Sequence, residues 1–194
     1  MKPQHALALA VVAGVLTLAS IGFLGYRLLE QSRSVTDGVP AGLISSQQLT
    51  PEDAQAAADA VMRLTLPDLA GRQQAMAQWR GKVLVVNFWA SWCAPCVEEM
   101  PAFARLQSEY VGQGVQFVGI GIDEVENMQS FVKTRPVTYP LLAATPAISD
   151  TPGLRIKGLP FTLVIARDGQ LAMSRLGRLD EAKLEPILRR LSGQ

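Results

Sequence analysis

The stretch Asn87-Phe88-Trp89-Ala90-Ser91-Trp92-Cys93-Ala94-Pro95-Cys96-Val97-Glu98-Glu99-Met100-Pro101 decides how this chain folds. It begins as the end of a β run that starts at Val83 and is apolar on both faces apart from Asn87. That pattern suits a central strand covered on both sides. From Cys93 to about Tyr110 the pattern becomes helical, with Pro101 inside, where a kink is expected. Two cysteines separated by two residues therefore stand where a buried strand gives way to a helix. Unpaired N–H groups and the helix dipole favour negative charge at that point, so the thiolate of Cys93 is the stabilised one. A thiolate attacks a disulfide, and Cys96, one turn later, can displace the mixed disulfide and close a small ring. Pro95 fits early in the helix, where its missing N–H costs little.

Other uses of the pair fare worse. Half of a zinc site needs two further ligands, and the chain has two cysteines and one histidine, His5, near the N-terminus. A structural disulfide across so short a loop contributes little through chain entropy. The absence of histidine from the rest of the chain also removes Ser–His and Cys–His catalysis. The formal net charge of +1 comes without any lysine- or arginine-rich run, so nucleic-acid binding has no electrostatic support.

Outward from the cysteines, 116–122 reads as a second buried strand ending at Asp123. Residues 124–133 carry Val125, Met128, Phe131 and Val132 at helical spacing. A third strand, 161–166, leads through the turn Arg167-Asp168-Gly169-Gln170 into a strand at 171–175. A terminal helix covers 180–191. On the N-terminal side, 63–66 alternates like a strand before a turn at 67–71. Thr50-Pro51-Glu52-Asp53 has the residues of a helix start, continued by an Ala-rich run to about Ala60. The succession implies an α/β fold, a mixed sheet with helices on both faces.

The N-terminus reads differently. Residues 6–26 contain no charge, and about 21 helical residues at roughly 1.5 Å each cross a bilayer's hydrocarbon core. The run closes on the bulky Phe23-Leu24-Gly25-Tyr26 without a small-x-small cleavage pattern, so an uncleaved anchor is expected over a signal peptide. The resulting division is an anchor at 1–28, a linker or stalk at 29–59, rich in Ser, Gln, Thr and Gly over 31–50, and a redox domain at 60–194.

The active-site stretch, with Gly158-Leu159-Pro160-Phe161-Thr162 before a strand and the N-terminal anchor, resembles the TlpA/ResA-like branch of the thioredoxin superfamily. The resemblance implies a thioredoxin-like three-layer sandwich with a central mixed sheet, preceded by one transmembrane helix. It implies a single-pass protein of the cytoplasmic membrane with its catalytic domain on the extracytoplasmic side. The implied activity is a thiol–disulfide oxidoreductase without a cofactor, reducing disulfides of partner proteins in cytochrome c maturation or metal-site assembly. The partners would be a disulfide-bearing protein substrate, such as apocytochrome c, and a membrane dithiol donor. An extracytoplasmic dithiol oxidant and a non-catalytic redox-sensing or metal-assembly chaperone stay open. A peroxidase of the peroxiredoxin type would need a Thr-x-x-Cys context, which Ala90-Ser91-Trp92 does not provide.

Residue by residue, the resemblance places a cis-proline at Pro160, beside the cysteines, with Leu159 offering main-chain groups to an extended substrate and Trp92 facing it. Thioredoxin carries a buried aspartate where this chain has Asn87, which cannot take a proton. TlpA/ResA-like proteins instead place an acid where Glu99 stands. Glu99 is accordingly the candidate catalytic acid–base beside the redox pair Cys93 and Cys96, the alternative being a purely structural acid. Glu98 reads as a solvated helix charge.

Overall fold

The structure, a computed structural model, describes residues 51–193. The expected anchor and the stalk up to residue 50 lie outside the described residues. Among the described residues no helix is long and apolar enough to cross a membrane.

The elements are α1 (Pro51–Met62), β1 (Thr65–Pro67), β2 (Gln73–Ala75), β3 (Val83–Trp89) and α2 (Ala94–Tyr110), then β4 (Val115–Ile122), α3 (Val125–Thr134), β5 (Leu141–Ala144), β6 (Phe161–Ile165), β7 (Leu171–Leu176) and α4 (Glu181–Ser192). The main sheet runs β5-β4-β3-β6-β7. β3 is central: it pairs parallel with β4 and antiparallel with β6. Every residue of β3 is buried, which explains its uninterrupted apolar sequence.

Because side chains alternate along a strand, the sheet sorts its residues into two cores. Val83, Val85 and Trp89 face one cluster with Met100 and Phe103 of α2, Phe131 of α3 and Leu184 of α4. Leu84, Val86 and Phe88 face the other, with Ala57 and Val61 of α1, Trp79 and Ile148. The result is the three-layer α/β sandwich with a central mixed sheet that the sequence led one to expect. The turn at 167–170 closes as a hairpin, with Ala166 N–H donating to Gln170 C=O at 2.8 Å and Gly169 at φ +88°.

Two features differ from expectation. The stalk was expected to reach residue 59, but α1 belongs to the folded body from Pro51: Ala57, Ala58, Ala60 and Val61 are buried. Gln55 also bridges to the β6–β7 hairpin, donating to Gly169 C=O and accepting from Leu171 N–H. Small alanines bury little area each, so their stripe looks weak in sequence although it lets the helix lie close to the sheet. Strands β2 and β5 were not anticipated. β5 is a four-residue Leu-Leu-Ala-Ala segment, half of it alanine, which has low strand propensity.

Two glycines in β4 make room for the layer that carries the cysteines. A Cβ on Gly119 would lie 2.6 Å from Leu141 Cδ2 and 3.1 Å from Trp89 Nε1, and one on Gly121 would collide with Met128.

Candidate active site

Cys93 is the N-cap of α2 and Pro95 lies in its first turn. The helix continues through Pro101 to Tyr110. The two cysteine sulfurs are bonded to one another, with Cα atoms 5.3 Å apart. Cys96 has no exposed surface, Cys93 retains a little, and Trp92 beside it is 70% exposed. A reactant therefore reaches Cys93 first, while Cys96 stays inside.

The loop before Cys93 is held by an acid from the next strand. Asp123, just beyond β4, accepts hydrogen bonds from the Ser91 N–H at 2.8 Å and from the Ser91 hydroxyl. It also accepts from Glu124 N–H and Asn127 Nδ2. Partial burial pushes its carboxyl up, but these donors outweigh that and hold it below the ordinary aspartate value. Sequence reasoning saw Asp123 only as the end of a strand. The signal was its place: β3 and β4 are parallel, so an acid ending β4 stands beside the loop that ends β3.

On the other wall, the Leu159–Pro160 peptide bond is cis, as the family resemblance implied. Pro160 is buried, and Leu159 shares with Trp92, Ile122, Asp123 and Lys157 a groove of about 880 Å³. Trp92 and Leu159 thus line one groove.

The same helix as the cysteines carries Glu99. On α2 it follows Cys96 by one turn, and it is only 2% exposed. One carboxylate oxygen accepts from Asn87 Nδ2 at 2.8 Å, the other from the Leu179 N–H at 2.8 Å. Asn87 reaches it because, alternating with Phe88, it projects from β3 on the α2 side; Nδ2 also donates to Thr162 Oγ1 at 3.1 Å. Burial pushes the Glu99 carboxyl up to about 7, against the opposing pull of the Leu179 N–H, the Asn87 amide and the Arg178 cation. Burial, with the Glu99 charge added, also raises the phenol of nearby Tyr139. Glu98, one residue earlier, is exposed and ion-paired with Arg178 at 2.8 Å. Sequence reasoning did not find Leu179 or Arg178, which approach from the link between β7 and α4, some eighty positions away in the chain.

Chemically this is a dithiol–disulfide pair with one cysteine slightly exposed and one fully buried, and with a carboxyl one turn along the same helix that changes protonation near neutrality. Among the described residues no three of His, Cys, Asp or Glu cluster as a metal site.

The sequence model of the AhpC/TSA family matches residues 57–174. The chain is 26% identical over 190 residues to the thiol-disulfide oxidoreductase ResA of Geobacillus thermodenitrificans, covering 97% of each. Among solved structures, a thiol:disulfide interchange protein of the thioredoxin family from Chlorobium tepidum superimposes with TM-score 0.60 at 28% identity, over 67% of this chain and 93% of that one. A thioredoxin-related protein from Neisseria meningitidis serogroup B gives TM-score 0.59 at 30% identity, over 66% and 99%.

Proposed function

The chain belongs to the AhpC/TSA family and is a thiol–disulfide oxidoreductase of the ResA/DsbE type, and from that premise we propose that it works as a dithiol reductant of partner proteins outside the cytoplasm. The observation that carries the mechanism is one helix that bears Cys93 at its start, Cys96 without exposed surface, and the buried Glu99 one turn further on. In the reduced protein the Cys93 thiolate attacks the partner's disulfide. That bond breaks, a Cys93–partner disulfide forms, and one partner sulfur leaves as thiolate. Cys96 passes its proton to the Glu99 carboxylate, and the resulting thiolate attacks Cys93 Sγ. The Cys93–Cys96 bond closes, the second partner thiolate leaves, and the partner has gained two electrons. The bonded pair of this structure is the oxidised end of that cycle.

Trp92, Leu159 and Pro160 form the surface on which an extended, disulfide-bearing segment lies; apocytochrome c or a metal-site assembly protein has the required chemistry. A membrane dithiol donor would return the electrons. The uncharged run at 6–26 supports a single-pass anchor in the cytoplasmic membrane with the redox domain outside. Protease added to the outer face should release a fragment of about residues 35 to 194. A soluble chain beginning near residue 25 would reveal a cleaved signal instead.

Direction of electron flow is tested by equilibration with glutathione or dithiothreitol. A reductant should lie close to thioredoxin, near about −270 mV, and a value near about −120 mV would identify an oxidant of the DsbA kind.

A further inference from the structure

Glu99 lies at the inner wall of a second opening, separate from the groove at Trp92. A cleft of about 220 Å³ lies between α2 and the link leading into α4, lined by Glu99 with Ala102, Arg105, Arg178, Asp180 and Glu181 among others. It shares no residue with the groove lined by Trp92 and Leu159. Its walls are polar and paired: Arg178 bridges Glu98 at 2.8 Å and Asp180 at 3.4 Å, and Arg105 pairs with Glu181.

A partner joined to Cys93 covers Trp92 and Leu159, so it closes the cysteine side of the site to water while Cys96 still has a proton to lose. The carboxyl that takes this proton must discharge it before the next cycle. We propose that the cleft beside Arg178 is the proton port of the active site, through which Glu99 exchanges protons with solvent while a partner occupies the groove. The step is a proton transfer alone: Cys96 S–H to Glu99 carboxylate, then Glu99 carboxyl to water or buffer in the cleft. Arg178 is a positioning residue, holding the mouth by its two ion pairs and placing positive charge near the carboxylate. The charged and titratable groups around Glu99 are Glu98 and Arg105 of α2, Arg178 and Asp180 of the link, Glu181 of α4 and, from the sheet side, Tyr139. The proposal rests on Glu99 serving as the proton acceptor.

Infrared difference spectroscopy of the protonated Glu99 carboxyl after a pH jump tests it, with Glu99→Gln locating the band. The jump is made on the free protein and on Cys96→Ser joined through Cys93 to a peptide long enough to cover Trp92 and Leu159. The carboxyl should relax at the same rate in both. Ala102→Phe, which fills the cleft, should slow relaxation at least tenfold with its midpoint unchanged, and Arg178→Gln should raise the midpoint. Should Ala102→Phe fail to fold, the docked complex still decides, since relaxation that slows when the peptide docks would overturn the port. Relaxation that slows when the peptide docks but ignores Ala102→Phe would overturn the port and leave Glu99 as acceptor. A carboxyl that does not titrate near neutrality would overturn the acceptor role itself.

Discussion

Asn87 Nδ2 donates to a Glu99 carboxylate oxygen at 2.8 Å in the buried layer beneath the active-site helix. The asparagine stands where thioredoxin has its acid, and the acid has moved onto the helix, so the two positions meet. One neutral amide and one carboxyl share a space that would not hold two charges.

Asn87→Asp should therefore convert one titration into two. Carboxyls at hydrogen-bond distance cannot both ionise readily, and the pair would titrate in two macroscopic steps. The pH dependence of mixed-disulfide resolution should gain a second inflection, with the upper one above that of the natural protein. A single inflection at the original position would mean that the two side chains do not interact as described.

Glu99 also couples stability to pH. Its folded value of about 7 lies above the ordinary 4.5, so the folded protein binds the proton more tightly than the unfolded chain. Stability should be highest below the unfolded value and fall as pH rises to about 7, by at most roughly 3 kcal/mol. Glu99→Gln should remove that slope, leaving the oxidised protein more stable than the natural one at pH 8, and slow substrate reduction about 100-fold at neutral pH. Denaturant midpoints and pH–rate profiles of the two proteins check both effects. Parallel stability curves would contradict the burial of a titrating Glu99, and an unchanged pH–rate profile would leave it structural.

Trp92 is exposed and packs little against the core, so Trp92→Ala should change stability by no more than about 0.5 kcal/mol. As a binding surface it should matter more: KM for a protein disulfide should rise about tenfold, equivalent to about 1.4 kcal/mol, with kcat nearly unchanged. A small dithiol or disulfide that does not reach the groove should show no such change. Equal effects on small and large substrates would argue against a docking role.

How much of this was legible depends on the range of the interaction. The chemistry of Cys93 and Cys96 follows from a strand, a turn and a helix start that are contiguous in sequence, and Glu99 was singled out by the family resemblance. Trp89 and Phe88 advertise a central strand by bulk and continuity, whereas the alanines of α1 do not show in sequence that they are buried. Pro160 in the cis form was legible only through family resemblance, because X–Pro bonds are mostly trans. The long-range contacts of the site were hidden because they depend on chain crossings: Leu179 and Arg178 come to Glu99 from beyond β7, and Asp123 reaches Ser91 only once β4 is laid beside β3.

The central claim is that Cys93 attacks and Cys96 resolves, and trapping tests it most directly. Cys93→Ser and Cys96→Ser variants are incubated with a disulfide-bearing protein, and the adducts are mapped by mass spectrometry without reductant. Cys96→Ser should accumulate a mixed disulfide through Cys93 that does not resolve, and Cys93→Ser should neither turn over nor form the adduct. A stable adduct through Cys96 in the Cys93→Ser variant, with none in Cys96→Ser, would contradict the mechanism and reverse the roles of the two sulfurs.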